Sequence, residues 1–157
     1  MKIQTPTSYG VTLDIAKSYV KVENDLEDLM INSLVSASYI QICNEANRDF
    51  LETSYTETFV SGSSEFLATQ DVYNLSSGSL VQSSDGNWVV FDDYFTGTIT
   101  YKTAISASMP ESIKIAQLML VSSWYDNRAP QIVGASVAKL DFAVEALIQP
   151  YKLVNPS

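Results

Sequence analysis

The stretch that decides the fold is residues 109–130, which read Met-Pro-Glu-Ser-Ile-Lys-Ile-Ala-Gln-Leu-Met-Leu-Val-Ser-Ser-Trp-Tyr-Asp-Asn-Arg-Ala-Pro. Pro110 suits the first turn of a helix, because its ring fixes φ and the amide that it lacks is not needed there. Pro130 forbids continuation of that helix. Between the two prolines, apolar side chains recur at helical spacing on more than one side: Ile113, Ile115, Ala116, Leu118, Met119, Leu120, Val121 and Trp124. A helix that is apolar almost all round is buried on most sides, so we predict a central helix here.

Two further helices are predicted before this stretch and one after it. Thr12 is a plausible cap for a short helix over Leu13–Val20. Asn24 followed by Glu27 forms a capping-box pattern, and the helical period continues from there to about Asn47. After a predicted loop over 129–136, a last helix spans 139–149 and is stopped by Pro150.

The segment over residues 54–103 has the composition of short β-strands. Turn signals separate its apolar and β-branched runs, at Ser61–Ser64, at 76–79, and at Asp92-Asp93 with Gly97. Asp85-Gly86 is a strong two-residue hairpin signal. We therefore predict an α+β fold that is mainly α: a small bundle of about four helices with an inserted antiparallel β-region of four to six strands. The predicted organisation is one domain, with an N-terminal arm over 1–10, helices over 11–53 and 108–151, and a tail over 152–157.

Charge and composition exclude several classes of function. The 157 residues carry 18 acids and 9 bases, for a net charge of −9. Between Asp49 and Tyr101 there are eight acids and neither Lys nor Arg, so no basic patch for nucleic acid is visible. The chain has no His and a single Cys, Cys43, which rules out an intrachain disulfide and a Cys-cluster metal site. It shows neither a signal sequence nor a membrane-spanning run, so we expect a soluble protein made in a cytoplasm.

The sequence contains no convincing catalytic or cofactor-binding motif. Asp85-Gly86-Asn87 lacks the preceding Asp-x-Asp of a calcium loop, and a hairpin turn explains it better. Asp92 and Asp93 are adjacent, so on a strand their carboxylates would point to opposite faces. We therefore predict no catalytic residue, no cofactor and no metal.

The block Trp124-Tyr125-Asp126-Asn127-Arg128 has two interpretations that the sequence leaves open. In the first, the aromatic pair plugs the core and the polar residues close the helix end. In the second, these side chains contact another subunit or a partner, because Trp, Tyr and Arg dominate protein interfaces.

Taken in order, these segments resemble the head–tail connector (adaptor) proteins of tailed bacteriophages, the gp6-like family. The short helix with its Lys17, the acidic cap at 23–29 and the closing Leu-x-x-Pro-Tyr at 147–151 stand in the family's order. The central helix carries the most distinctive match, at Pro110, Ile113, Ala116, Leu118, Leu120, Trp124, Tyr125, Asn127 and Arg128.

The resemblance implies a non-enzymatic virion protein of the neck, between capsid and tail. It implies a cyclic ring, dodecameric in the virion, that sits below the portal protein, extends the DNA channel and carries the tail or stopper protein. DNA would pass without specific binding, and no membrane is involved. The segment 140–154 would dock on the portal. The implied contacts with the portal or a neighbouring subunit are Tyr125, Asn127, Arg128, Leu147, Tyr151, Lys152 and Leu153, and the implied channel or loop acids are Asp85, Asp92 and Asp93.

Two other functions remain in competition with this one. The same features would serve another neck or tail-completion structural protein. A hydrolase using Asp92, Asp93 or Asp126 is the alternative of a different class, although no His or convergent carboxylate pair supports it.

Overall fold

The computed structural model describes residues 2–68, 70–83, 86–104, 108–127 and 134–153, with the backbone alone for residues 61, 63, 65 and 134–140. The chain divides into two compact units. A sheet unit comprises residues 1–8, 47–107 and 153–157, and a helix unit comprises residues 9–46 and 108–152.

Within the described residues, five strands and four helices alternate along the chain in blocks. The strands are β1 (Lys2–Pro6), β2 (Thr53–Ala68), β3 (Val72–Tyr73), β4 (Ser79–Ser83) and β5 (Gly86–Thr103). The helices are α1 (Leu13–Val20), α2 (Asp28–Ala46), α3 (Glu111–Asp126) and α4 (Gly134–Ile148), and a short 3-10 turn (Gln149–Tyr151) follows α4. The class α+β is confirmed. The descriptions "mainly α" and "bundle" are not confirmed, because β2 and β5 are long strands that make up much of the chain.

The sheet unit is built on the antiparallel pair of β2 and β5. The order is β1-β2-β5-β3, and β4 also pairs with β5. The register runs without interruption from Thr53 opposite Thr103 to Phe59 opposite Gly97. Apolar side chains from these strands form the core of the unit: Phe59, Leu67, Val72, Val89, Ile99 and Tyr101.

The structure corrects three predictions about the sheet unit. Ser61–Ser64 lies within β2, and Asp92, Asp93 and Gly97 lie within β5, although both segments were predicted as turns. The pairing absorbs these turn-forming residues in a bulge: between the pairs Gly62–Phe95 and Ser64–Val90 lie one residue of β2 and four of β5. The predicted arm over 1–10 likewise contains a strand, because β1 pairs with β2 from Lys2 opposite Glu57 to Pro6 opposite Thr53.

In the helix unit, α3 contacts each of the other three helices, as predicted for a central helix, and α2 does so too. Its buried side chains are Ile113, Ala116, Gln117, Leu120 and Val121. The burial is one-sided, however, because Ile115 is half exposed and Trp124 is only partly buried. The predicted bounds of α1 are confirmed, and the Thr12 hydroxyl accepts a hydrogen bond from the Ile15 amide, as the cap requires.

A buried glutamine holds the entry of the chain against this core. The Gln117 side-chain amide donates to the carbonyls of Tyr9 (2.7 Å) and Val35 (3.0 Å), and its oxygen accepts from the Val11 amide at 3.1 Å. Gly10 passes directly over this amide with φ +84°, and a Cβ there would overlap the Gln117 oxygen. The segment before α1 is therefore fixed by one side chain of α3.

Candidate interaction surfaces

The last turn of α3 separates the two interpretations of the aromatic block. Tyr125 is partly buried against the core of the helix unit, and its hydroxyl donates to the carboxylate of Glu27. Asn127 is exposed and ends the helix: its backbone amide and its side-chain amide both donate to the Ser123 carbonyl, at 3.0 and 2.8 Å. These contacts support the plug-and-cap interpretation for both residues. Arg128 lies outside the described residues.

The predicted portal-docking segment has partners within the chain. Within α4, Val144 and Ile148 are buried and Leu147 is partly buried, so the helix contributes to the core of its unit. The Ser112 hydroxyl donates to the Tyr151 hydroxyl at 3.1 Å. The ammonium of Lys152 lies 3.4 Å from carboxylate oxygens of both Glu45 and Glu145.

The chain leaves the helix unit immediately after Lys152. Within the sheet unit, the Leu153 carbonyl accepts from the Asn47 side-chain amide at 3.2 Å. Because α4 carries buried side chains, deleting the segment from residue 140 onward would remove part of a core. Point substitutions at the exposed positions are therefore the suitable test of docking.

The predicted channel acids Asp92 and Asp93 are exposed in the bulged part of β5. They border a groove of about 410 Å³ that the 77–79 turn and residues 90–95 enclose. The rings of Phe91 and Phe95 stack at its side, with centroids 4.3 Å apart. Asp126 is exposed at the last turn of α3, and Asp85 lies outside the described residues.

Asp49 carries a buried carboxylate that the sequence did not indicate as a candidate site residue. It is 5% exposed, and its two oxygens accept from Gln4 (2.9 Å), from Tyr55 (3.1 and 2.9 Å) and from the Thr103 hydroxyl. It joins β1, β2 and β5. A carboxylate whose oxygens are both occupied by donors is typical of a structural network. No spacing in the sequence marks Asp49, because its partners are far apart along the chain.

A second polar network lies beside it in the same unit. The Tyr73 hydroxyl donates to Glu52 at 2.7 Å, and Lys102 pairs with the same carboxylate at 2.9 Å. Desolvation and the hydrogen bond to Glu52 raise the pKa of Tyr73 to about 12. The hydrogen bond from Lys102, and to a smaller extent the hydrogen bond from Tyr73, lowers the pKa of Glu52. Burial, together with nearby Glu57, raises the pKa of Tyr101.

Among the described residues, no group of three or more His, Cys, Asp or Glu side chains is placed to hold a metal ion. None of the helices described is both long enough and apolar enough to cross a membrane.

Comparisons with known proteins find likeness in structure alone. No family model matches the sequence, and no curated protein matches it. One similar solved structure is described as the neck of an empty GTA particle computed with C6 symmetry (14% identity, TM-score 0.69). Two others are described as the virion of a native gene transfer agent (GTA) particle (12%, TM-score 0.67) and the neck of a native GTA particle computed with C12 symmetry (13%, TM-score 0.61).

Each of these likenesses covers 99% of this chain and 97% of the other. The whole chain therefore shares its fold with these chains. At sequence identities of 14%, 12% and 13%, the likeness shows a shared fold alone.

Proposed function

We propose that this chain is a structural protein of the neck of a phage-like particle, a head–tail connector that assembles as a ring below the portal. The observation that carries the proposal is the fold likeness to neck chains over nearly the full length of both proteins. The sequence Trp-Tyr-x-Asn-Arg at 124–128 supports it independently, since it resembles the pattern of head–tail connectors. Membership of the gp6-like family is part of the proposal.

The ring is proposed as a dodecamer of identical copies, with the tail or stopper protein on its far side. Two of the similar solved structures are described as computed with C6 and with C12 symmetry, and a ring of twelve copies is compatible with both symmetries. A closed ring requires that one surface of each copy meet a different surface of the next.

Charge supports a channel that DNA crosses without being held. Asp92 and Asp93 are exposed on a strand segment with no Lys or Arg nearby in sequence. Such acids repel phosphate, so a lumen lined by them would not retain the duplex. We assign Asp92 and Asp93, with Asp85, to the channel or to the loops at its mouth.

The C-terminal turn is the proposed portal contact. Tyr151, Lys152 and Leu153 are each partly exposed at the end of the described chain, and Leu147 lies one turn earlier. Tyr125, Asn127 and Arg128 are kept as a second proposed contact, although Tyr125 and Asn127 already bond within the helix unit.

Electron microscopy of the purified protein, alone and mixed with the portal protein of the same particle, tests the function. We expect a ring of this chain stacked on the portal ring. Binding to a tail protein without any binding to the portal would instead favour another neck or tail-completion component. Failure to join either partner would overturn the structural role.

A further inference from the structure

Arg48, just after the end of α2, carries a buried hydrogen-bond donor that has no acceptor. Among the described residues, its Nε–H is the only buried side-chain donor in this position, although the residue as a whole is partly exposed. Buried polar groups in folded proteins nearly always have a partner, so an unpaired one requires an explanation. The described part of this chain supplies no acceptor for this group.

The backbone on both sides of Arg48 is fixed within the sheet unit. Asn47 has a left-handed φ of +53°, and its side-chain amide donates to the Leu153 carbonyl at 3.2 Å. The backbone amide of Asp49 donates to the side-chain oxygen of Gln70 at 2.7 Å. Arg48 therefore starts from a well-defined position, as a side chain that binds a partner should.

An aromatic ring, and not a carboxylate, holds the guanidinium group. The guanidinium carbon of Arg48 lies over the Phe50 ring, 5.5 Å from its centroid, and Phe50 is buried. Contact with a ring face leaves the N–H groups at the edge of a guanidinium unused. The carboxylate of the adjacent Asp49 does not use them, because it accepts hydrogen bonds from other side chains.

The other cations of the chain show that Arg48 is unusual. Five lysines have a carboxylate oxygen at 3.7 Å or less: Lys2, Lys17, Lys102, Lys114 and Lys152. Within the described ranges, Lys21 alone shares with Arg48 the lack of an ion pair, and Lys21 is exposed. The chain has 18 acids and 9 bases, so a shortage of carboxylates does not explain the unpaired arginine.

A carboxylate is the ligand that best fits the unused edge of this guanidinium. Nε–H and one Nη–H of an arginine point in parallel and match the two oxygens of a carboxylate. Phosphate offers a similar match, but the sheet unit also exposes Asp71, Asp92 and Asp93, which repel it. Seven exposed acids form no ion pair with any described base, so a second copy of the chain can supply a carboxylate: Asp14, Glu23, Asp71, Asp92, Asp93, Asp126 and Asp141.

We infer that Arg48 is an anion-binding position that receives a carboxylate of another protein chain when the neck assembles. That carboxylate belongs to an adjacent copy of this chain or to the portal protein. Because the guanidinium is oriented in advance, little conformational freedom is lost when the pair forms. The inference rests on the proposed ring and names one contact that the ring would make.

The test uses two substitutions of Arg48 and one control. Arg48→Gln removes the charge together with the parallel N–H groups, whereas Arg48→Lys keeps the charge alone. Lys21→Gln is the matched control, because it makes the same change in net charge at the other described base without an ion pair. The melting temperature of each variant should stay close to that of the original chain, since neither base has an ion pair to lose within the described residues.

Sedimentation velocity over a concentration series, with and without portal rings, gives the readout. We expect Arg48→Gln to raise the protein concentration at half-assembly at least tenfold, Arg48→Lys to raise it less, and Lys21→Gln to leave it unchanged. A loss already seen without portal rings assigns the carboxylate to the adjacent copy. A loss confined to the binding of portal rings assigns it to the portal protein.

The outcomes separate the inference from the function on which it rests. Assembly of Arg48→Gln at the concentrations of the original chain would overturn the inference and leave the proposed ring intact. If Arg48→Gln melts early, Arg48→Lys decides, and assembly equal to that of the original chain would again overturn the carboxylate contact. Loss of binding to labelled duplex DNA as the sole effect of Arg48→Gln would make phosphate the ligand instead. An original chain that neither forms rings nor joins the portal would overturn both proposals.

Discussion

At the scale of single residues, the helix unit depends on one polar side chain within an apolar helix. Gln117 is fully buried and bonds three backbone groups of Tyr9, Val11 and Val35. An apolar residue there would leave the Val11 amide and the Tyr9 carbonyl without this partner, whereas the Val35 carbonyl would still accept from the Ser38 hydroxyl at 2.9 Å. The glutamine therefore specifies the path of the entering chain.

We expect Gln117→Leu to lower the free energy of unfolding by about 1–3 kcal/mol, because the buried Val11 amide loses its acceptor and an unpaired buried backbone group costs about that much. Urea denaturation measures it. Gln149→Leu, at an exposed position, is the control and should change little. Equal stability of the two variants would remove Gln117 from this role.

The Tyr73–Glu52 contact predicts how stability depends on alkaline pH. Folding raises the pKa of Tyr73 to about 12, so above the ordinary tyrosine value the unfolded chain loses this proton first. The contribution of Tyr73 to stability is thus complete below about pH 10 and disappears as the pH rises towards 12.

Replacing Tyr73 by Phe should flatten the loss of stability across that alkaline range. Denaturant titrations at a series of pH values measure the slope for the original chain and for the variant. Tyr94→Phe serves as the control, because Tyr94 is exposed. A slope that Tyr73→Phe leaves unchanged would contradict the prediction.

At the scale of elements, the sequence was most informative where local signals decide the structure. The cap at Thr12 gave the bounds of α1, and Pro110 gave the start of α3 to within a residue. The pairing of β4 with β5 confirms a hairpin at this place, although Gly86, predicted as a turn residue, pairs with Ser83 as the first residue of β5. Each of these features depends on a few neighbouring residues.

Sequence reasoning failed where distant partners decide. Gly62 and Asp92 lie in turn-like segments, yet both belong to the long strands β2 and β5, where Gly62 pairs with Phe95 and Asp92 lies in the bulge. The bond between Tyr125 and Glu27 joins residues 98 positions apart, so spacing along the chain could not reveal it. Leu26 and Leu29 fit the helical period of a buried face, yet they are 93% and 87% exposed.

A pair of glycine substitutions tests the bulged strand against a true turn. We expect Gly62→Ala to change stability by less than about 0.5 kcal/mol, because a Cβ there meets nothing within 4 Å. Gly10→Ala should cost more than about 1–2 kcal/mol, because Gly10 has a left-handed φ and sits against Gln117. Thermal unfolding compares the two, and a large loss for Gly62→Ala would restore the predicted turn.

At the scale of the whole molecule, the position of charge should matter more than its total. We expect the original ring to leave duplex DNA unbound at low salt, and the double change Asp92→Lys with Asp93→Lys to create salt-sensitive binding. Asp14→Lys with Asp141→Lys makes the same change in net charge on exposed helix positions. Fluorescence anisotropy of labelled DNA measures both, and equal binding by the two variants would contradict a channel role for β5.

The pairing of Thr53 with Thr103 has a consequence for how such chains diversify. The segment between these residues departs and returns at adjacent backbone positions, as the two strands of a hairpin do. Inserting or trimming residues at its far end leaves that junction untouched, and doubling a loop's length costs only about 0.6 kcal/mol in closure entropy. The far end of this segment can thus change in length while the residues at its base, including those that pair with β1, keep their partners.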